Sequence, residues 1–208
     1  MPDAAALRVL FVDNFDSFTF NLVHEFAQRG CDVEVWRNTA GAAHLLRRAE
    51  SAGGPALIVL SPGPGRPADA GSCPELVALA AGRVPVFGVC LGQQVIVAAF
   101  GGEVGPAGEL VHGRASAVRH DGGFLFAGIP SPFVAGRYHS LGTRRVGPPL
   151  VELARGGELV MAVAHASLPV AGVQFHPESI LTPEGGTLIA NVIAWARAAR
   201  AGTPRSAP

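Results

Sequence analysis

Short apolar runs alternate with amphipathic stretches through the first half of the chain. Leu7–Val12 is apolar except at Arg8, and Ala56–Leu60 is apolar throughout. Continuous runs of this length are typical of strands buried on both faces of a parallel sheet. The stretches between them place apolar residues at helical spacing. The pattern therefore predicts, in order, a strand at Leu7–Val12, a helix at Phe18–Gln28, a strand at Asp32–Trp36, a helix at Ala42–Ala52, strands at Ala56–Leu60 and Val84–Val89, and a helix at Gln93–Phe100.

This alternation of strands and helices predicts parallel pairing through right-handed crossovers. The expected fold is α/β, with an open, doubly wound, mostly parallel sheet flanked by helices. In such sheets the functional site lies at the carboxyl ends of the strands. The loops Asp13–Ser17, Ser61–Pro67 and Val89–Gly92 should therefore meet at one edge. Asp16 or Ser17 is expected to cap the helix that follows the first loop.

After Gly101 and Gly102 the pattern changes to short runs separated by glycine and proline turns. Such runs predict hairpins and antiparallel extensions of the sheet. They are Glu103–His120, Phe124–Phe126, Phe133–Arg137, Val151–Ala154, Leu159–Ala164 and Val170–Phe175. A last helix is predicted from Pro183 to about Arg200. We expect one domain over residues 7–200, with residues 1–6 and 201–208 as flexible tails.

The composition restricts the function. A length of 208 residues fits one domain, and 16 basic side chains balance 16 acidic ones, so nucleic acid and anionic membranes are not expected partners. No apolar run reaches the roughly 18 residues of a membrane span. The N-terminus lacks a secretory pattern, and the 3 cysteines cannot all pair, so a reducing cytoplasm is the expected location. The histidine and cysteine spacings match no metal-ligand pattern, so no metal site is expected.

Cys90 lies where a predicted strand turns into a predicted helix. Gly88 and Gly92 flank it symmetrically, as a sharp turn requires when neighbouring backbones approach closely. The free N–H groups at the start of a helix also favour a thiolate. A cysteine in an apolar stretch is, on its own, as easily a small buried hydrophobic residue. The interpretation as a nucleophile therefore depends on the rest of the chain.

The loop Ser61–Pro67 directly follows a predicted buried strand. Its prolines and glycines alone predict only a turn. Beside the cysteine, the N–H of Gly63, together with that of Leu91, could point at the oxygen of a tetrahedral intermediate. The loop is therefore a candidate oxyanion hole.

His176 and Glu178 follow the last predicted strand, with Pro177 between them. Proline holds the preceding residue extended, and a spacing of two places both side chains on one side of a strand. The carboxylate can then orient the ring and stabilise its charged form. Together with Cys90, the pair has the chemistry of a nucleophile, a base and an orienting acid.

Three segments resemble the signatures of class I glutamine amidotransferases. They are SPGPGRP at Ser61–Pro67, GVCLGQQ at Gly88–Gln94 and VQFHPES at Val173–Ser179. Three more segments resemble the glutaminase subunits of anthranilate synthase and aminodeoxychorismate synthase, namely Asp13–Leu22, His112–Arg114 and Gly136–Leu141. The family resemblance implies a flavodoxin-like sheet. The aspartates of the first segment are expected to be cap and loop residues rather than catalytic acids.

The resemblance also implies a mechanism. Cys90 would attack the side-chain amide of L-glutamine to form a glutamyl thioester, and His176, oriented by Glu178, would protonate the departing ammonia and then activate water. Gly63 and Leu91 would supply the oxyanion donors. The implied substrate-binding residues are Gly63, Pro64, Gly65, Gln94, Ser140 and Leu141.

A partner is implied as well. Ammonia would pass to a chorismate-binding synthase subunit, component I, which would carry Mg²⁺, whereas this chain would need no cofactor.

Gln93 stands where many relatives carry histidine, and Gly105–Leu110 lacks the basic residue expected before His112. The product stays open between anthranilate and aminodeoxychorismate. Two alternatives also stay open, an amidotransferase subunit for a different acceptor and a non-catalytic regulatory subunit with the same fold.

Overall fold

The computed structural model describes residues 6–51, 53–108 and 113–199. The helices are α1 (Thr19–Ala27), α2 (Ala42–Glu50), α3 (Cys73–Ala80), α4 (Leu91–Ala99) and α5 (Gly185–Ala199). The strands are β1 (Arg8–Asp13), β2 (Asp32–Arg37), β3 (Ala56–Leu60), β4 (Val86–Val89), β5 (Gly105–Pro106), β6 (Arg114–His120), β7 (Phe133–Arg137), β8 (Leu141–Gly142), β9 (Leu150–Gly156), β10 (Leu159–His165) and β11 (Val170–Val173).

Within the described residues, 9 strands form one sheet in the order β2-β1-β3-β4-β11-β10-β9-β6-β7. The first five strands in this order pair in parallel. From β10 onward the pairing is antiparallel, and β5 pairs with β8 separately. The predicted α/β fold, a mostly parallel sheet with antiparallel extensions in the second half, is confirmed.

The sheet has an apolar core on each face. Alternate residues of β1 enter different cores, with Val9 and Phe11 on the side of α1 and α5 and Leu10 and Val12 on the side of α2, α3 and α4. This alternation follows from the period of two along a strand. It explains why the central strands are apolar at every position and why both faces must be covered.

Several predicted elements need correction. Phe124–Phe126 forms a turn rather than a strand, and Phe126 stacks on His120 with ring centroids 4.3 Å apart. The helix α3 was not among the predicted elements, and α4 begins at Leu91 rather than Gln93. α1 begins at Thr19 without a side-chain cap.

The predicted caps of α1 were therefore wrong. The Asp16 carboxylate instead accepts a hydrogen bond from the Phe18 N–H at 2.8 Å, in a turn that precedes the helix. Residues 1–5, His112, Arg200 and the tail 201–208 lie outside the described residues. No helix within the described ranges has the length and apolar character needed to cross a membrane.

Candidate active site

Cys90 occupies the sharp turn between β4 and α4. Its backbone has φ 54° and ψ −104°, a conformation that L-residues rarely adopt. Its N–H donates to the Val173 carbonyl at 2.8 Å, and its own carbonyl accepts from the Gln94 N–H at 3.1 Å. These two bonds fix the strained residue between β11 and the first turn of α4.

The glycines beside Cys90 are needed because backbones touch there. A Cβ at Gly88 would lie 2.4 Å from the Gly92 carbonyl, and a Cβ at Gly92 would lie 2.3 Å from the Leu60 carbonyl. Real Cβ atoms are not found so close to backbone. The strand β3 and the turn therefore fit together only with glycine at both positions.

His176 and Glu178 form a buried pair close to Cys90. Nδ1 of His176 lies 2.7 Å from Oε1 of Glu178, and the two side chains are 2% and 0% exposed. The carboxylate accepts, so Nδ1 carries a proton. Nε2 has no protein partner of ordinary hydrogen-bond geometry, but the Cys90 thiol is close enough to act on the charge of the ring.

The protonation of His176 is decided by opposing effects. Burial, the largest single effect, favours the neutral ring, but the close contact and charge of Cys90, together with the hydrogen bond and charge of Glu178, outweigh it and raise the pKa of His176 to about 10. The ring is thus charged at neutral pH. An imidazolium beside a thiol can stabilise a thiolate and can donate a proton to a leaving group.

The sequence predicted that His176 and Glu178 lie on one side of a strand, but the pair does not lie on a strand. β11 ends at Val173, and His176–Ser179 is a turn in which the Ser179 N–H donates to the His176 carbonyl at 3.2 Å. The turn rests on α5, because a Cβ at Gly185 would lie 1.8 Å from the Pro177 carbonyl. The turn, rather than the alternation of side chains along a strand, brings His176 and Glu178 together. The expected proximity of the two side chains therefore has a different structural cause.

Two aromatic rings enclose the imidazole. Phe18 and Tyr138 lie 5.5 and 5.0 Å from the His176 ring, centroid to centroid, and both pack edge-on. The Tyr138 hydroxyl lies 3.0 Å from the Ser179 hydroxyl. These contacts restrict the ring to one orientation, and neither aromatic residue was a predicted site residue.

Gly63 lies against the start of α4. A Cβ there would meet Asn14 Cβ at 2.5 Å and Leu91 Cδ2 at 2.9 Å. Among the described residues, no hydrogen bond uses the N–H of Gly63 or of Leu91, and Leu91, as the first residue of α4, has no carbonyl partner inside the helix. Both N–H groups are therefore available to an external acceptor.

Asn14 holds the Gly63 loop in place. Its backbone N–H donates to the Ser61 hydroxyl at 2.8 Å, and its side-chain amide donates to the Ser61 carbonyl at 2.9 Å. Asp13 organises its own loop, accepting from the Phe15 N–H at 2.8 Å and from the Thr19 hydroxyl at 3.0 Å. The carboxylate of Asp13 thus has a structural role in its own loop.

A cavity of about 260 Å³ opens beside the thiol. Its lining brings together Cys90, Leu91, Gln94 and the predicted substrate-binding residues Gly63, Pro64, Gly65, Ser140 and Leu141, with Tyr138 and His139. Larger concavities, of about 560 and 540 Å³, lie elsewhere and do not include Cys90.

His139 supports the wall of this cavity in its neutral form. Burial, the positive charge of Arg137 and that of His176 lower its pKa to about 4, against the hydrogen bond to Leu141. Nδ1 lies 2.8 Å from the Leu141 carbonyl, and Nε2 accepts from Arg137 Nε at 3.1 Å. The neutral ring therefore fixes the backbone at Leu141.

The remaining cysteines are in different surroundings. Burial, opposed by a hydrogen bond to Asn14, raises the pKa of Cys73 to about 12, and burial also raises the pKa of Cys31 against the charges of Arg197 and Arg29. Both effects favour the unreactive thiol. Within the described ranges, no group of 3 or more His, Cys, Asp or Glu side chains could hold a metal ion.

Comparison with known proteins gives the family. Residues 10–195 match the family described as glutamine amidotransferase class-I. The chain is a class I glutamine amidotransferase. The amidotransferase is 45% identical over 189 residues to the anthranilate synthase component 2 of Vibrio parahaemolyticus, a match that covers 91% of this chain and 96% of that protein.

Other comparisons agree. The amidotransferase is 46% identical over 197 residues to the anthranilate synthase component 2 of Thermus thermophilus, covering 92% of this chain and 95% of that one. It superposes with a TM-score of 0.82 on a solved structure of a candidate GMP synthase subunit from Thermoplasma acidophilum, over 94% and 96% of the two chains. At 23% identity, the similarity to the Thermoplasma acidophilum structure shows the fold alone.

Proposed function

We propose that this amidotransferase is the glutaminase subunit of an anthranilate synthase. It hydrolyses L-glutamine and supplies ammonia to a chorismate-aminating subunit. Two relatives at 45% and 46% identity carry the name anthranilate synthase component 2 and align over nearly their whole length. The observation that carries the proposal is the cavity that Cys90 shares with the predicted glutamine-binding residues, beside the buried His176 and Glu178 pair.

Acylation begins with the Cys90 thiolate. Its sulfur attacks the side-chain carbonyl carbon of glutamine, and the electron pair of the C=O bond moves to oxygen. The N–H groups of Gly63 and Leu91 stabilise that oxyanion. The tetrahedral intermediate collapses by breaking the C–N bond, and His176 donates a proton to the departing nitrogen, which leaves as ammonia.

Deacylation reverses the roles. His176, now neutral, takes a proton from water, and the hydroxide attacks the thioester carbon. The C–S bond breaks, glutamate leaves, and the electron pair returns to sulfur as a thiolate. Glu178, whose Oε1 lies 2.7 Å from Nδ1, keeps the ring oriented in both steps and stabilises its charge.

The amino-acid end of glutamine occupies the rest of the cavity. Pro64, Gly65, Gln94, Ser140 and Leu141 all line this cavity together with Cys90. This placement puts the side-chain amide of the substrate at Cys90. Chorismate and the Mg²⁺ that accompanies it are assigned to the partner, component I.

Purification of the chain with its synthase subunit tests the proposal. The complex is given chorismate, with either glutamine or ammonia, and the products are separated by chromatography. We expect anthranilate from both nitrogen donors. Aminodeoxychorismate as the product would move the chain to the other chorismate-using synthase, and a product from ammonia but never from glutamine would refute the glutaminase role.

A further inference from the structure

The buried amide of Gln174 contacts the nucleophile. Its Nε2 lies 3.6 Å from Cys90 Sγ, which is hydrogen-bond range for the large sulfur atom. The side chain is 0% exposed, so no water competes for this donor. Gln174 lies in the loop directly after β11, two residues before His176, and the amide reaches Cys90 from 84 positions away in the sequence.

The orientation of this amide is determined by a second bond. Gln174 Oε1 accepts from Gln94 Nε2 at 3.1 Å, and the same Nε2 also donates to the Leu141 carbonyl at 3.0 Å. Both hydrogens of the Gln94 amide are thereby used. The oxygen of Gln174 must face Gln94, which leaves its NH₂ group directed at the sulfur.

These bonds form one chain of donors and acceptors from the cavity wall to the reacting atom. Leu141 and Gln94 both line the cavity, and the chain continues through Gln174 to Cys90. Hydrogen bonds in a buried chain polarise one another. The wall that holds glutamine is therefore joined physically to the thiolate.

We propose that Gln174 is a further catalytic residue, which stabilises the Cys90 thiolate by a hydrogen bond and links it to the glutamine-binding wall. The role rests on the proposed glutaminase function. A hydrogen bond to an ionised acceptor is stronger than a hydrogen bond to a neutral acceptor. The bond is strong with the free thiolate, weakens in the thioester and strengthens again as the C–S bond breaks and sulfur takes back its electron pair.

The effect is largest in deacylation. In acylation, the bond stabilises the thiolate that must attack, so it raises the thiolate population but also lowers the reactivity of each thiolate. In deacylation, it stabilises only the leaving sulfur. Loss of the donor should therefore slow thioester hydrolysis more than thioester formation.

Gln174→Met tests this proposal, because methionine keeps the length of the side chain and removes the donor. In the complex with the synthase subunit, we expect kcat to fall about ten-fold, the scale of one hydrogen bond to a charged group, with KM falling in parallel. Acid quenching during turnover should trap more Cys90 as glutamyl thioester than in wild type. Equal losses of kcat and kcat/KM, or an unchanged kcat, would overturn the proposal.

Gln93→Met is the matched control. Gln93 is a neighbouring buried amide on α4, 0% exposed, whose Nε2 lies 3.5 Å from the Val160 carbonyl and whose Oε1 has no partner. Its replacement removes the same group without touching the sulfur. We expect wild-type kinetics, and a thioester accumulation equal to that of Gln174→Met would contradict the proposal.

Alkylation of Cys90 by iodoacetamide gives a readout that needs no glutamine. Mass spectrometry of the Cys90 peptide should show slower labelling in Gln174→Met and in Gln174→Glu, whose carboxylate still accepts from Gln94 but disfavours a nearby thiolate. Thermal unfolding checks that each variant is folded. Wild-type labelling rates in a folded variant would refute the contact, whereas absent glutamine turnover in wild type would refute the proposed function alone.

Discussion

At the residue scale, the proposed catalysis depends on the charge of His176. The ring is buried, yet its pKa is raised to about 10 because Cys90 and Glu178 outweigh the cost of burial. A buried charge of this kind persists only with a buried partner, which Glu178 provides at 2.7 Å. Removal of either partner would leave the other as an uncompensated buried group, so the stability of the fold and the proposed catalytic role depend on the same contact.

This coupling predicts how stability depends on pH. A group whose pKa is raised on folding stabilises the protein below its unfolded pKa, and this contribution is lost as the pH rises through the folded pKa. The free energy of unfolding of wild type, relative to His176→Gln, should therefore be greatest below pH 6.5 and decline towards pH 10. Denaturant titrations of both proteins across this pH range measure the difference in the free energy of unfolding.

The control for this comparison is His24→Gln, which replaces an exposed histidine on α1. Among the described residues, His24 makes no ion pair with Glu178, so the curves of variant and wild type should run nearly parallel. A stability difference between wild type and His176→Gln that increases with pH would show that the ring is not held charged.

The sequence predicted the residues with reactive chemistry but not the buried amides that contact or position them. Cys90, His176 and Glu178 stand in recognisable surroundings, so they could be predicted as a group. Gln174 and Asn14 carry ordinary amides, and their partners lie 84 and 47 positions away. Their roles appear only when distant strands are placed side by side.

At the scale of elements, the close contact between β3, β4 and α4 determines the position of the nucleophile. Gly88 and Gly92 let the turn after β4 lie directly on Leu60, at the end of β3. This contact directs Cys90 towards the loop that carries Gly63. The two glycines could be predicted from the sequence because a tight turn needs them, but the backbone they touch could not.

Gly92→Ala tests this contact. The new Cβ would lie 2.3 Å from the Leu60 carbonyl, so the turn must shift, and we expect a loss of about 1–3 kcal/mol in the free energy of unfolding. Gly105→Ala is the control, because a Cβ there meets nothing within 4 Å. Equal stability of the two variants would show that the turn has room to adjust.

The errors in the predicted elements have local causes. Phe124–Phe126 has the aromatic content of a strand, but it lies between glycines with positive φ at Gly123 and Gly128 and forms a turn. α3 begins at Cys73 and has a proline in its first turn. Proline near a chain reversal suits a loop or a helix start equally well, so the pattern alone did not separate them.

At the scale of the whole molecule, strand order assembles the site. β11 lies between β4 and the antiparallel strands, so a late part of the chain pairs in parallel with β4, the strand that ends just before Cys90. The alternation of strands and helices predicts the fold class and the edge where the site lies. It does not determine that β11 is the neighbour of β4, which is what brings His176 to the thiol.

The proposed role of the whole molecule is to release ammonia from glutamine at Cys90 for use by a second subunit. Cys90→Ser in the complex with the synthase subunit tests this role most directly, with chorismate amination measured from glutamine and from ammonia in parallel. We expect the glutamine-dependent rate to fall to background while the ammonia-dependent rate stays at the wild-type value. A variant that kept its full glutamine-dependent rate would contradict the proposed role.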